Sequence, residues 1–164
     1  MAQLSVKIKE NPLILGIESS CDETAAAVIR GRELLSDEIV SSASVQARFG
    51  GVVPEIASRA HTDAVDEVVA RALKSAGVEK EELDAVAVTY GAGLLGALLV
   101  GLSFAKGLAY GLRIPLIGVS HIRGHLAACY LEDRELTPPY VSLLASGGHT
   151  AVIHVKTETE FELV

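Results

Sequence analysis

The chain has 164 residues, of which 49% are apolar and 21% charged, and this composition fits a folded domain and argues against disorder. Its net charge of −7 argues against a protein that holds nucleic acid over a broad basic surface of its own. Two distant cysteines, Cys21 and Cys129, and the lack of a long apolar segment after the first basic residues predict a reduced, cytoplasmic protein.

The first strands and the first long helix are predicted by local patterns. Residues 13–17 and 24–29 are apolar runs separated by a polar turn, which predicts a β-hairpin, and residues 33–42 supply a third strand. From Pro54 the apolar residues take helical spacing as far as Gly77. This pattern predicts a helix with proline in its first turn and a glycine at its C-terminal cap.

The middle of the chain alternates strands with helices. Residues 84–90 and 114–119 predict two buried strands on either side of a helix at residues 94–111. That helix is apolar on nearly every side, which is typical of a wholly internal helix or of one that binds a partner. Lys106 and several glycines interrupt it, so a membrane span is disfavoured. A short helix is predicted at about residues 121–131.

A Pro-Pro pair at residues 138–139 predicts a boundary, after which the opening pattern returns. Residues 140–156 predict a second hairpin whose strand, small polar turn and strand resemble residues 14–24, and residues 161–164 begin a third strand. We interpret this as a weak internal repeat.

The repeat divides the chain into two predicted domains. Residues 1–137 form a first lobe, and residues 138–164 are the beginning of a second, truncated lobe. A new sheet without helices to cover it exposes apolar surface, so we expect the second lobe to continue beyond this chain.

Two histidines in the short helix have the spacing of metal ligands. His121 and His125 are separated by four positions, so both imidazoles lie on one face of a helix that directly follows a strand. Neutral imidazoles suit zinc or iron, and such a site needs a third protein ligand. Two ordinary surface histidines have the same spacing. The zinc-protease motif is disfavoured because Ile122 stands where that motif has glutamate.

Small polar turns between strands offer further candidate groups. Asp22 and Glu23 lie in the first hairpin, where adjacent carboxylates can orient a metal-bound water or act as a base. Residues 146–150 lie in the later hairpin, where glycine amides can approach a phosphate. Residues 91–93 can place a helix N-terminus near an anion. Each segment alone is equally typical of an ordinary turn.

Taken together, these motifs resemble one family, the universal tRNA threonylcarbamoyladenosine transferases, formerly described as O-sialoglycoprotein endopeptidases. The resemblance covers nearly the whole chain from about residue 13. It runs through residues 15–24, residues 50–59, residues 93–101, the His121 and His125 pair, and residues 146–150.

The resemblance implies an α/β fold of the actin-like, sugar-kinase-like ATPase class, in which two ribonuclease-H-like lobes with mixed sheets and helices face a nucleotide cleft. It implies that His121 and His125 hold one divalent metal ion, iron or zinc, with a third protein ligand outside this chain. An adenylate or ATP-type nucleotide is expected in the cleft. The implied substrate-binding segment consists of Leu144, Ala145, Ser146, Gly147 and Gly148.

The implied reaction transfers a threonylcarbamoyl group from threonylcarbamoyl-adenylate to the adenosine 3′ of the tRNA anticodon, and AMP leaves. Asp22 and Glu23 are the catalytic candidates, with Asp22 orienting the attacking amine or accepting its proton. Because the third ligand belongs to the second lobe, we expect this chain alone to be inactive. Arg123 stands where many relatives carry glutamate, which changes the surroundings of the metal.

The implied partners are tRNA, a non-catalytic paralogue of the same fold, and a small pathway ATPase or kinase, with no membrane. The paralogue, or a second copy of this chain, is expected to bind the helices at residues 54–76 and 94–111. An alternative function is that of the non-catalytic paralogue itself. The paired histidines, which such paralogues lack, favour the enzyme over this alternative and over a sugar kinase of the same fold.

Overall fold

The structure is a computed structural model that describes residues 9–146, 148 and 150–164. It consists of two compact units, Met1–His121 and Ile122–Val164. Each unit is described by itself.

The first unit contains one mixed five-stranded sheet. Its strands are β1 Leu13–Glu18, β2 Glu23–Arg30, β3 Glu33–Ser41, β4 Ala85–Gly91 and β5 Leu116–Ser120, in the order β3-β2-β1-β4-β5. The pairs β1–β2 and β2–β3 are antiparallel, whereas β1–β4 and β4–β5 are parallel. The carboxyl ends of β1, β4 and β5 therefore meet at one edge of the sheet.

Two long helices pack with this sheet. These are α2 Pro54–Ala76 and α3 Leu95–Leu112. The helix α1 Ala43–Gln46 is short, and 3-10 turns lie at Ala47–Phe49 and Lys80–Glu82. Helix α2 begins at the predicted proline and ends before Gly77, whose φ of 65° is the left-handed conformation that glycine adopts most easily. The core combines strand and helix residues, namely Leu15, Ile17, Val28, Val68, Ala72, Val86, Val88 and Ala105.

Helix α3 is not wholly internal. Its buried face is made of small residues such as Ala97, Ala105 and Ala109, while Leu95 and Leu99 are 75% and 50% exposed. By length and composition alone α3 is apolar enough to cross a membrane, with a mean hydropathy of 1.5 over 18 residues. Ala105 and Ala109 nevertheless belong to the core of the first unit, so one face of α3 packs within a folded domain.

The prediction of a buried strand at residues 114–119 was wrong about its burial. The strand forms as β5, but Leu116 and Ile117 are 36% and 42% exposed. The physical reason is that β5 lies at the edge of the sheet. An apolar run predicts a strand without showing whether the strand is central or at an edge.

The second unit contains a small antiparallel sheet and most of one helix. Helix α4 is His121–Glu132, and the strands are β6 Tyr140–Ala145, β7 Thr150–Val155 and β8 Phe161–Leu163, in the order β6-β7-β8. Its core consists of Leu126, Leu144, Ile153 and Val155. The hairpin and third strand predicted here are confirmed. Both sheets begin with three consecutive antiparallel strands, as the repeat predicted.

Helix α4 groups with the second unit because Leu126 packs with Leu144 and Ile153. The unit boundary therefore falls at residues 121–122, whereas the sequence placed a lobe boundary after residue 137. The two-lobe division stays a prediction.

Candidate functional site

A polar cluster lies at the edge of the first sheet where the parallel strands end. Glu18 is the last residue of β1, Thr89 is close to the end of β4, and His121 directly follows β5. Because these three strands are parallel and adjacent, their carboxyl ends bring side chains from distant parts of the chain together. In open α/β sheets this edge is the usual place for a binding site.

Glu18 is the centre of the cluster. Its Oε1 accepts a hydrogen bond from the backbone N–H of Ser20 at 2.5 Å, and its Oε2 accepts one from Thr89 Oγ1 at 2.5 Å. His121 Nδ1 lies 3.3 Å from the same Oε2 and 3.2 Å from Ser20 Oγ. The carboxylate thus joins the turn after β1, strand β4 and the start of α4.

The hydrogen bonds keep Glu18 ionised despite its partial burial. Burial on its own raises the pKa of the Glu18 carboxyl, but hydrogen bonds from Ser20, Thr89 and His121 outweigh it and lower the pKa below its ordinary value. At neutral pH Glu18 is therefore a carboxylate and can only accept hydrogen bonds.

The turn between β1 and β2 is fixed on one side by α3. The N–H of Leu94 donates to the Ser20 carbonyl oxygen at 2.7 Å, and buried Ser19 Oγ donates to the Ala97 carbonyl oxygen at 2.9 Å. Gly93 has φ 157°, and a Cβ at this position would lie 2.6 Å from the Ser20 carbonyl oxygen. The close approach of the loop to the turn therefore requires glycine at position 93.

On the other side, a buried histidine of α2 holds the same turn. His61 is 1% exposed, with Nδ1 at 2.7 Å from Thr24 Oγ1 and Nε2 at 3.1 Å from the Cys21 carbonyl oxygen. A carbonyl only accepts, so Nε2 carries the proton and Nδ1 accepts from the Thr24 hydroxyl. The carbonyl oxygen of Asp22 is also bonded, to the N–H and hydroxyl of Ser42 at 2.9 and 2.8 Å.

The predicted catalytic carboxylates occupy this rigid turn. Asp22 is half-buried and Glu23 is exposed at the first position of β2. The hydrogen-bonded cluster around His121 is built from Glu18, Ser20 and Thr89 instead, and the catalytic roles of Asp22 and Glu23 stay a prediction.

Cys21 is the nucleophilic side chain in this turn, but its surroundings do not activate it. Burial is the main cause that raises the pKa of the Cys21 thiol, and the neighbouring Asp22 carboxylate raises it further. The thiol is therefore protonated at neutral pH, which disfavours a nucleophilic role.

The remaining predicted residues belong to the second unit. His125 is exposed on α4, one helical turn after His121. Leu144 is 8% exposed and belongs to the core of this unit, whereas Ala145 and Gly148 are exposed and Ser146 is half-buried. Gly147 lies outside the described residues. The substrate-binding role of this segment stays a prediction.

The donor set offered by His121 and His125 fits a zinc or iron ion. Both offer an imidazole from one helix, and a complete protein site needs at least one more ligand. Within the described part of the chain, no group of three or more His, Cys, Asp or Glu side chains is arranged to hold a metal ion.

Sequence reasoning missed the residues that surround His121. Glu18 and Thr89 each follow an apolar run, so their positions at strand ends were visible, but the parallel pairing that brings them to His121 was not. His61 was missed because a histidine within a helical pattern carries no sign of burial.

Comparison with known proteins identifies the family to which the sequence is similar. Residues 33–164 match the family model described as tRNA N6-adenosine threonylcarbamoyltransferase. A curated relative with that description, from Clostridium beijerinckii, is 57% identical over 156 residues, which are 94% of this chain and 46% of the relative. The chain thus spans slightly less than half the length of the curated relatives it matches.

Solved structures with low sequence identity share the fold. YeaZ from Pseudomonas aeruginosa superposes with a TM-score of 0.62 at 18% identity, covering 93% of this chain and 64% of that one. Component A of the (R)-2-hydroxyglutaryl-CoA dehydratase of Acidaminococcus fermentans gives 0.53 at 16% identity, covering 93% and 47%. These neighbours confirm the predicted α/β fold of the actin-like ATPase class.

Proposed function

Because the chain belongs to the tRNA N6-adenosine threonylcarbamoyltransferase family, we propose that it forms part of an enzyme that transfers a threonylcarbamoyl group to an adenosine of tRNA. The observation that carries the proposal is the polar cluster of Glu18, Thr89 and His121 at the carboxyl edge of the parallel strands. The acceptor is the adenosine 3′ of the anticodon, and the donor is threonylcarbamoyl-adenylate.

The proposed chemistry is acyl transfer. The exocyclic amine of the adenosine attacks the carbamoyl carbonyl carbon, the bond between that carbon and the phosphate oxygen breaks, and AMP leaves with the bonding electron pair. The amine loses one proton, for which Asp22 is the proposed acceptor. Hydrogen bonds from His61 of α2 and from Leu94, directly before α3, hold the backbone of the turn that carries Asp22.

A divalent iron or zinc ion is proposed at His121 and His125, with a third protein ligand from outside this chain. When bound, the metal supplies positive charge that neutralises the adenylate phosphate. The proposed nucleotide-binding segment is residues 144–148, whose glycine amides approach the phosphate. Glu18 contacts the His121 ring through its Oε2, which lies 3.3 Å from Nδ1.

The proposed partners are tRNA, a non-catalytic paralogue of the same fold, and a small ATPase or kinase. With a net charge of −7, this chain needs a partner or a local site to hold tRNA. The paralogue is proposed to bind α2 and α3, where Leu95 and Leu99 are exposed and residues of both helices line a groove of about 270 Å³. The residues that line this groove are Glu55, Ser58, Arg59, Thr62 and Val100. The proposed location is the cytoplasm.

A chimera tests the proposed function. The 164 residues replace the matching part of the Clostridium beijerinckii relative, and the chimera is expressed in cells depleted of their own transferase. We expect mass spectrometry of tRNA nucleosides to show restored threonylcarbamoyladenosine, and His121→Ala to reduce it at least about 100-fold because a metal ligand is lost. Glu33→Gln, an exposed change at the start of β3, is the matched control.

Two results would count against the proposal. A well-expressed chimera that restores no modified nucleoside would exclude the transferase function for this chain. Full activity of His121→Ala would exclude a metal ligand at His121 that the reaction needs. The 164 residues expressed alone are expected to restore nothing.

A further inference from the structure

We infer that His61 is a positioning residue, whose hydrogen bond to the Cys21 carbonyl oxygen sets the direction in which the Asp22 side chain points. Its contribution to activity rests on the proposed function, whereas the hydrogen bond and its effect on the turn can be measured on this chain alone.

The two peptide groups on either side of the Asp22 Cα atom determine where its side chain points. Each peptide group is planar, so a hydrogen bond to its carbonyl oxygen restrains the whole group, including the N–H of the next residue. The group between Cys21 and Asp22 is held by His61, whose Nε2 lies 3.1 Å from the Cys21 carbonyl oxygen. The group after Asp22 is held by Ser42, whose N–H and hydroxyl donate to the Asp22 carbonyl oxygen at 2.9 and 2.8 Å. With both groups held, the φ and ψ angles of Asp22 and the direction of its Cα–Cβ bond are set.

The two donors that hold these peptide groups are themselves held. His61 is 1% exposed, and its Nδ1 lies 2.7 Å from Thr24 Oγ1. The imidazole cannot turn away from Cys21 without leaving buried polar groups unpaired. Ser42 is held in the same way by buried Gln46, whose Nε2 donates to Ser42 Oγ at 2.6 Å.

The two hydrogen bonds of the imidazole have different consequences. The bond to Thr24 joins α2 to a side chain of β2, a strand that is already paired with β1 and β3. Its loss should therefore lower stability and leave the turn in place. Cys21 lies in the turn between β1 and β2, so loss of its bond to His61 releases the peptide group that precedes Asp22.

Amide side chains can separate these two bonds. The Nε2 atom of glutamine matches the Nε2 position of histidine, so His61→Gln keeps a donor for Cys21 and loses the acceptor for Thr24. The Oδ1 atom of asparagine matches the Nδ1 position, so His61→Asn keeps the acceptor and loses the donor. Thr24→Val removes the hydroxyl and leaves the bond to Cys21 in place.

The first measurement is NMR spectroscopy of the intact chain. Residues 21–22 are the only Cys-Asp pair in the sequence, so ¹³C-carbonyl cysteine combined with ¹⁵N-aspartate gives one signal for this peptide group. We expect its carbonyl shift to move in His61→Asn and to stay close to the wild-type value in His61→Gln and Thr24→Val. An unchanged shift in His61→Asn would overturn the inference.

The wild type alone decides if His61→Asn does not fold. Its buried imidazole must carry a proton on Nε2 to donate to the Cys21 carbonyl oxygen, and ¹⁵N-¹H correlation spectra identify that proton. A proton on Nδ1 alone would leave the carbonyl oxygen without this donor and would overturn the inference.

The second measurement is the rate of tRNA modification by the purified chimera. Misplacing a reacting group by about 1 Å can cost about 100-fold in rate, so His61→Asn should lower kcat by up to about 100-fold and leave the KM for tRNA unchanged. His61→Gln and Thr24→Val, which also lose one bond each, should keep most of the wild-type kcat. Equal losses of kcat in His61→Gln and His61→Asn, or no loss in either, would overturn the inference. A wild-type chimera inactive on tRNA would refute the proposed function and leave the NMR result intact.

Discussion

The turn between β1 and β2 shows how single polar groups determine a site. His61, Leu94 and Ser42 each bond a backbone carbonyl of the turn, so that its conformation is set from α2, from α3 and from the residue after β3. Each bond satisfies a group that would otherwise be costly to bury. The candidate carboxylates at positions 22 and 23 are therefore displayed on a rigid support.

Replacement of His61 tests this support. His61→Leu keeps a side chain of similar size but leaves the Thr24 hydroxyl and the Cys21 carbonyl without their partner. Each unsatisfied buried group costs about 1–3 kcal/mol, so we expect the two together to lower the free energy of unfolding, measured by urea denaturation, by about 2–6 kcal/mol. Thr24→Val removes only one of the two bonds and should cost roughly half as much. A His61→Leu chain as stable as the wild type would show that these bonds contribute nothing.

Contacts between residues close in sequence could be predicted, whereas contacts between residues far apart in sequence could not. The His121 and His125 pair is visible because its members are one helical turn apart. The contact of His121 with Glu18 spans 103 residues, and that of Thr89 with Glu18 spans 71. Local periodicity carries no information on such contacts, which depend on the order of strands in the sheet.

At the scale of elements, the face that α3 turns toward the sheet is defined by small residues. A Cβ at Gly101 would lie 2.3 Å from Ser19 Oγ and 3.2 Å from Ser19 Cβ, whereas nothing lies within 4 Å of a Cβ at Gly107. Ser19 is completely buried and bonded to α3, so it cannot move aside cheaply. Close packing of α3 on β1 therefore depends on Gly101.

Two substitutions in the same helix should have opposite effects. Gly101→Ala overpacks the contact with Ser19 and should lower the free energy of unfolding by about 1–3 kcal/mol. Gly107→Ala gains helix propensity in open space and should raise it by up to about 1 kcal/mol. Chemical denaturation of both variants measures the difference. A similar change of the same sign in both would contradict the packing of α3 on the Ser19 turn.

Elements with strong local signals were predictable, and their surroundings were not. Helix α2 was correct at both ends because Pro54 and Gly77 mark helix termini by backbone conformation alone. Strand β5 was predicted as a strand but wrongly as a buried one, because the neighbours of a strand determine its exposure. The short helix Ala43–Gln46 was missed because four residues are too few for a periodic pattern.

At the scale of the whole molecule, strand order connects fold and function. The antiparallel meander β1-β2-β3 builds one side of the first sheet, and the parallel strands β4 and β5 build the other. The meander contributes the turn that contains Asp22. The parallel strands contribute Thr89, near the end of β4, and His121, which directly follows β5. The fold class followed from the family resemblance, whereas the cluster itself required the three-dimensional order of strands.

Self-association is the prediction that belongs to this scale. Leu95 and Leu99 of α3 expose apolar surface next to α2. Removing such surface from water by covering it with another chain is favourable. In the absence of the proposed paralogue, we expect the chain to associate with itself through α2 and α3. Light scattering at micromolar concentration should give a mass above the 17.2 kDa of one chain.

Aspartate substitutions on two different exposed surfaces identify which surface mediates the self-association. Leu99→Asp should return the mass to that of a monomer, because burying an aspartate in an apolar contact costs more than the contact contributes. Leu143→Asp is the matched control, since Leu143 is also an exposed leucine, 70% exposed, but lies on β6 of the other unit. A monomeric wild type would refute self-association. A mass lowered by Leu143→Asp and not by Leu99→Asp would move the association from the helices to the small sheet.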